Sequence, residues 1–346
     1  MIRKTWLSRL TALCAVVVLG LVIVGCGGDD DDGGGGEGIS IGLVTDTGGV
    51  NDRGFNEFSI AGLDQAADEL GVETRVYVSS TEDDYLPNLT AAAEDGHDLV
   101  IAVGFLLAPS TIQIANEFPD TNFAGVDHFY GGEGCEEQGT CEAPNAVGMQ
   151  YPSEEAGYLA GIVAALTTES NTVSTVGGIK IPPVDNWIAG FQQGVADTNP
   201  DVQTLNAYSQ DFVDQAKCKE IALDQISQGS DIVFQVAGDC GLGAIDGACE
   251  QGRFAIGVDA DQSAQGDCVI TSALKPLQSS VFSVIQSQVD GTFEGGQNLF
   301  FGIQDLPDAD LLAPFSDDVS QEAQDAAAEA LEQLKSGEID PPATLE

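Results

Sequence analysis

Three aspartates follow short apolar runs: Asp46 after residues 39–45, Asp127 after 122–126 and Asp259 after 255–258. A carboxylate at the mouth of a strand is a hydrogen-bond acceptor. If buried, it needs donors to offset its desolvation, and the hydroxyls of a polar ligand supply them. Lys275 ends the apolar run 269–274, and cations are scarce in a chain with 11 Lys+Arg against 56 Asp+Glu. Taken singly, each aspartate reads equally as a helix N-cap or turn residue, and Lys275 as a surface lysine ahead of Pro276. Recurrence favours the site. Asp98-Leu-Val-Ile-Ala-Val-Gly104 precedes Asp127, 29 residues after its first aspartate, and Asp231-Ile-Val-Phe-Gln-Val-Ala-Gly238 precedes Asp259, 28 residues after its own. The Asp127–His128 pair, considered as an acid/base dyad, reads as loop polarity.

To place such residues together, the elements around them must form parallel sheets. Apolar runs at 39–45, 73–78, 99–103, 122–126, 172–177, 203–208, 232–236, 255–258 and 269–271 predict strands. Segments 56–70, 85–93, 110–118, 153–165, 186–198, 214–228, 242–251 and 276–288 predict helices between them. Strands separated by single helices require crossover connections, hence parallel pairing. Some 300 residues exceed one typical core, so the α/β chain is expected to form two lobes. In open parallel sheets ligands bind beyond the carboxyl ends of the strands, where the three aspartates fall.

The chain opens with Arg3, Lys4 and Arg9, then an apolar run to Val24 ending in Gly25-Cys26. The run is too short for an ordinary span and has the layout of an export signal. Val22-Ile23-Val24-Gly25-Cys26 resembles a bacterial lipobox, which makes residues 1–25 the signal peptide and Cys26 the lipidation site; an uncleaved anchor helix is the competing reading. Residues 26–38, with Asp29–Asp32 and Gly33–Gly36, have no apolar period and read as a tether, not a calcium loop. Six cysteines remain: Cys135, Cys141, Cys218, Cys240, Cys249 and Cys268. An even set behind an export signal suggests disulfides; Cys135 and Cys141 are the expected local pair, and the connectivity of the other four stays open. Neither a metal site nor a cofactor is expected. The formal net charge is −45 at pH 7, which disfavours nucleic acid and anionic membrane surfaces as partners. A field of that strength is best tolerated where salt screens it, so a saline habitat is one reading and simple solubility another.

The run Thr45-Asp46-Thr47-Gly48-Gly49-Val50-Asn51-Asp52-Arg53-Gly54-Phe55-Asn56 resembles the amino-terminal signature of the basic membrane protein family of substrate-binding lipoproteins. Further segments match in family order: Gly125-Val126-Asp127, Glu155 to Gly161, Trp187 through Gly194, Phe234 to Gly238, Gly257 to Gln262 and Thr271 to Lys275. The resemblance implies a two-lobed periplasmic-binding-protein fold of the ribose-binding type (type I) over residues 39–346. Its lobes would be interleaved at roughly 39–150 and 151–280, with the C-terminal segment crossing back. It implies that Phe55 stacks on a base with Asn56 beside it, and that Phe212, or its rival Tyr208, is the opposing ring. By the same resemblance Asp127 accepts from a ring nitrogen, Asp259 and Lys275 hold ribose hydroxyls, Asp46 adds an acceptor and Trp187 lines the cleft.

These expectations make the chain a monomeric, lipid-anchored binding component on the extracytoplasmic face of the cell membrane. It would serve the permease and ATPase subunits of an ABC importer and take a purine nucleoside. Two other classes compete: a sensor reporting to a membrane partner, and a nucleoside or sugar hydrolase. The sequence has no nucleophile elbow, no Gly-rich phosphate loop with Lys and no His-rich metal set, which weighs against the enzyme.

Overall fold

The computed structural model describes residues 38–131 and 143–345. Cys26, Cys135, Cys141, the expected signal and the expected tether up to residue 37 lie outside the described residues.

Two parallel sheets carry the fold. The first contains β1 (Ser40–Val44), β2 (Glu73–Tyr77), β3 (Leu99–Val103), β4 (Asn122–Val126), β5 (Ala146–Gln150) and β11 (Gln297–Phe300), ordered β11-β5-β4-β3-β1-β2. The second contains β6 (Thr172–Gly177), β7 (Gln203–Tyr208), β8 (Ile232–Val236), β9 (Phe254–Asp259) and β10 (Val269–Leu274), ordered β10-β9-β8-β6-β7. Apart from β11, both sheets repeat one winding, in which the second strand lies outside the first and the third, fourth and fifth run the other way. The order therefore reverses between β1 and β3, and again between β6 and β8. At such switch points the loops leaving neighbouring strands diverge and open a crevice.

Helices cover both faces of each sheet, and the strands are apolar on both sides as a result. In β3, Leu99, Ile101 and Val103 pack with Leu63 of α1 (Phe55–Leu70) and Leu277, Val281 and Ile285 of α8 (Leu277–Val289). Val100 and Ala102 point the other way, toward Leu89 of α2 (Tyr85–Glu94) and Ile114 of α3 (Ala108–Glu117). The second sheet lies between α6 (Gln215–Ser227) and α7 (Gly238–Glu250) on one face and α4 (Ser153–Thr167), α5 (Pro182–Thr198) and α9 (Gln321–Ser336) on the other. Each buried Leu, Ile or Val contributes roughly 1.5–3 kcal/mol.

The chain passes between the lobes three times: after β5, after β10 and after β11. Between the second and third passages α8 and β11 complete the first lobe. Ile303, Leu311 and α9 then return to the second core.

Helices α4 and α5 touch backbone to backbone. A Cβ at Gly157 would strike the Trp187 carbonyl, one at Gly161 the Phe191 carbonyl, one at Gly190 the Glu154 carbonyl and one at Gly194 the Tyr158 carbonyl. The matched segments at 155–161 and 187–194 thus hold α5 in place, and with it the end that faces the other lobe.

Two disulfides close the cysteine connectivity that spacing left open: Cys218–Cys240 joins α6 to α7, and Cys249–Cys268 joins α7 to the approach to β10. Both lie in the second lobe.

Five elements differ from expectation. Strands β5 and β11 and helix α9 carry no predicted element, and α5 and α7 begin at Pro182 and Gly238 where starts at 186 and 242 were expected. A proline at N1 is pre-set for a helix start. Gly241, outside the predicted helix, and Gly243, inside it, both permit close approach, because side chains there would collide with the Gln235 amide and the Gln215 backbone.

Candidate functional site

The loops leaving the strands at the two switch points face one another across a cleft of about 620 Å³, counting its solvent-filled mouth. Asp46, Thr47, Asp52, Phe55, Asn56, Gly104, Phe105 and Asp127 line it from the first lobe. Ile181, Pro183, Val184, Trp187, Phe212, Val236–Asp239, Val258, Asp259 and Lys275 line it from the second. All eight expected site residues are among them. Tyr208 is not: its hydroxyl donates to Asp185 at 2.5 Å and its ring lies under Lys180. Phe55 and Phe212 thus reach the cleft from opposite lobes. Trp187 is 3% exposed, with its ring edge-on to Phe234 at 6.3 Å, so it serves both the core and the cleft wall.

The duplicated strand–helix–strand–Asp pattern reappears in the backbone. Asp127 directly follows β4 at φ 62°, and Asp259, the last residue of β9, has the same conformation at φ 66°. Both occupy the left-handed region, which non-glycine residues enter at some cost and which clusters at functional sites.

The carboxylates have different surroundings. Asp127 receives both hydrogen bonds of Lys275 Nζ, at 2.7 and 2.6 Å, with the lysine side chain 3% exposed. The same ammonium lies 5.0 Å from the centre of the Phe55 ring and 4.6 Å from that of Tyr151. Lys275 was expected to share a task with Asp259; the structure joins it to Asp127. Asp259 keeps its neighbour's charge without its hydrogen bonds. Burial pushes the Asp259 carboxyl up to about 7, with Lys275 pulling it down and the negative charges of Asp127 and Asp52 pushing it further up. Burial also raises Asp46 to about 6, opposed by hydrogen bonds from the Tyr85 hydroxyl and the Thr47 amide.

Asn56 braces the site from behind. Its Oδ1 accepts from the Asp46 amide at 3.0 Å and its Nδ2 donates to the Thr47 carbonyl at 3.1 Å, which pins the turn after β1 to the first turn of α1.

Asp52 went unread in the sequence, and His128 has a different role from the loop polarity expected of it. Asp52 collects the free amides at the start of α1, from Gly54 at 3.2 Å, Asn56 at 2.8 Å and Glu57 at 3.0 Å. An acid just before a predicted helix was the available signal. Burial holds its carboxyl above the ordinary range despite those three bonds. His128 is fully buried: Nε2 pairs with the Gly104 carbonyl and Nδ1 with the Tyr130 hydroxyl, each at 2.7 Å, and burial holds the ring down at about 4. It is a neutral brace between the loops after β3 and β4, not surface polarity. At Gly104, φ is 113° and a side chain would collide with the Asp46 carboxylate.

The lining thus holds five carboxylates, of Asp46, Asp52, Asp127, Asp239 and Asp259, against the single ammonium of Lys275, which Asp127 already engages. Such a surface accepts hydrogen bonds from a ligand rich in O–H or N–H groups, and the rings of Phe55, Phe105 and Phe212 offer flat apolar area. Ring contacts of this kind are worth about 0.5–1.5 kcal/mol beyond burial.

Comparison with known proteins places the chain among solute-binding proteins. The family described as ABC transporter substrate-binding protein PnrA-like matches residues 39–329. The CD4+ T-cell-stimulating antigen of Listeria innocua is 30% identical over 358 residues, covering 96% of this chain and 97% of that protein. The ABC transporter nucleoside-binding protein BmpA of Lactococcus lactis subsp. cremoris is 28% identical over 322 residues, covering 87% and 88%. Among solved structures, an ABC transporter solute-binding protein from Aeropyrum pernix K1 superposes with a TM-score of 0.77 at 24% identity, over 89% of this chain and 94% of that one. That likeness shows the fold, the two-lobed type I periplasmic-binding-protein architecture.

Proposed function

The chain belongs to the family of PnrA-like ABC transporter substrate-binding proteins, and from that premise we propose that it captures a purine nucleoside between its lobes for import. One observation carries the reading: rings from opposite lobes, Phe55 and Phe212, share a cleft with buried carboxylates at matched strand ends, Asp46, Asp127 and Asp259. The rings suit a flat heterocycle, and the carboxylates suit the donors of a base and a sugar. The printed name of the Lactococcus relative, a nucleoside-binding protein, agrees. Asp127, already held by Lys275, would fix the ligand's orientation, while Asp259 and Asp46 would accept from it directly.

In the same proposal Cys26 carries the lipid, residues 26–38 are the tether, and 39–346 form the binding domain on the extracytoplasmic face. No described helix is long and apolar enough to cross a membrane. Permease and ATPase subunits would be its partners, and closure of the lobes the signal they read.

Isothermal titration of the purified chain with nucleosides, free bases and sugars, at graded salt, tests the ligand. Heat with a purine nucleoside but not with ribose alone or with hexoses is the expected result, and sugar binding without nucleoside binding would overturn it. Replacing Cys26 by Ser should move the protein out of the membrane fraction.

A further inference from the structure

Gln262 closes the matched segment Gly257–Gln262 but takes no part in the ligand reading. It is 1% exposed, and its amide belongs to a chain of hydrogen bonds that leaves the second lobe. The Ala237 amide donates to Gln235 Oε1 at 3.0 Å, and Gln235 Nε2 donates to Gln262 Oε1 at 2.8 Å. The Val258 amide reaches the same oxygen at 3.2 Å, while the Gln262 backbone amide is held by Ser272 Oγ at 3.0 Å. Oriented by those contacts, Gln262 Nε2 donates across the seam to the backbone carbonyl of Arg53, in the first lobe, at 3.2 Å. Arg53 stands at φ 57°, and the next residue is Gly54, where a Cβ would lie 3.5 Å from Asp259 Oδ2 and 3.7 Å from Gln262 Nε2. The Arg53–Gly54 turn, directly ahead of Phe55, is therefore seated on Asp259 and Gln262 of the opposite lobe.

We infer that Gln262 is a positioning residue for capture: it bolts the Arg53–Gly54 turn to the second lobe and so sets both the closed interlobe arrangement and the approach of Phe55 to the cleft. This rests on the cleft being a capture site and not on the identity of the solute. The donor is aimed by contacts inside the second lobe, and its acceptor is a main-chain carbonyl at the start of α1. Separation of the lobes at this seam would leave the Gln262 amide without this partner, so the bond biases the solute-free protein toward the arrangement in which the two lobes meet here, and solute shifts that balance further. A buried amide confined to one lobe provides the contrast: Gln225, 3% exposed, donates to the Thr175 carbonyl at 2.9 Å, both within the second lobe.

The test uses the purified chain without added solute. Gln262→Leu removes the donor without introducing a charge, and Gln225→Leu is the control. Small-angle scattering should show a larger radius of gyration for Gln262→Leu than for wild type and no increase for Gln225→Leu. Hydrogen exchange of peptides spanning 50–58 should be about five- to tenfold faster in Gln262→Leu only, as expected for one net hydrogen bond of about 1 kcal/mol. Gly54→Leu approaches the seat from the first lobe, driving a side chain into Asp259 and the Gln262 amide without touching the second lobe's interior, and should open the molecule likewise. Scattering and exchange indistinguishable from wild type in both seam variants, each still folded by circular dichroism, would overturn the inference. A change of equal size in Gln225→Leu would overturn it as well. Both readouts are taken without solute, so they stand whether or not the cleft takes a nucleoside.

Discussion

Replacing Asp259 with Asn should make the ligand-free protein more stable, and increasingly so as the pH rises. The folded carboxyl titrates at about 7 against 3.8 in its ordinary state, because burial and the charges of Asp127 and Asp52 oppose ionisation more than Lys275 assists it. A group whose folded pKa is raised gives its full stabilisation below the unfolded value and loses it as the pH climbs through the folded one. Between those limits each pH unit removes about 1.4 kcal/mol. The ionised Asp259 therefore subtracts on the order of 4 kcal/mol at pH 8 and on the order of 0.5 kcal/mol at pH 4. Asn carries no such charge. Urea unfolding of wild type and Asp259→Asn across this range should give curves that nearly meet at pH 4 and separate toward pH 8, with the variant the more stable. Asp46, raised to about 6 in the same cleft, is common to both proteins and cancels in the difference. A gap that does not grow with pH, or a variant less stable at pH 8, would refute the reasoning. The same variant should bind solute more weakly if, as proposed, the charge that strains the empty cleft is the acceptor offered to the ligand.

Three further outcomes are expected. Phe55→Ala and Asp127→Ala should each weaken nucleoside binding at least tenfold, about 1.4 kcal/mol, with circular dichroism unchanged; unaltered titration isotherms in both would mean that another pocket is used. Reduction of the two disulfides should lower unfolding stability by about 3 kcal/mol for each loop closed, read as a fall in the urea midpoint with and without reductant; equal midpoints would show that neither bond constrains the unfolded chain. The formal charge of −45 predicts a melting temperature that rises with sodium chloride as screening shortens the range of self-repulsion, and a flat salt series would contradict it.

Much of this was legible in the residues. Strands buried on both faces announce themselves as unbroken apolar runs, so β3 and β8 could be read directly, and the aspartate echo pointed to Asp127 and Asp259 before their matched backbone was seen. Edges were harder. β11 reads Gln-Asn-Leu-Phe and is half exposed, which leaves no period to detect, and β5 is five residues long with a polar end. Helix α9 did carry its signals, Ser320 accepting from the Ala323 amide and Gly337 ending the helix in the left-handed region, but it is mainly Ala, Glu and Gln and looks like a solvated tail until Leu334 and Ala323 are seen in the second core. The pairing of Lys275 with Asp127 could not have been read at all. It depends on how one lobe is set against the other, and no local pattern encodes that.

The three passages between lobes impose an order on assembly. Val147 pairs with Gln297 and Met149 with Leu299, and α8, which covers one face of the first sheet, also comes from the later part of the chain. The lobe that begins first thus waits for most of the chain: one face of its sheet stays uncovered until α8 has been made and its last strand is missing until β11, while the second lobe is completed only afterwards by Ile303, Leu311 and α9. Contacts so distant in sequence slow folding, so apolar surface of both lobes stays uncovered for longer than a fold built from local contacts would leave it.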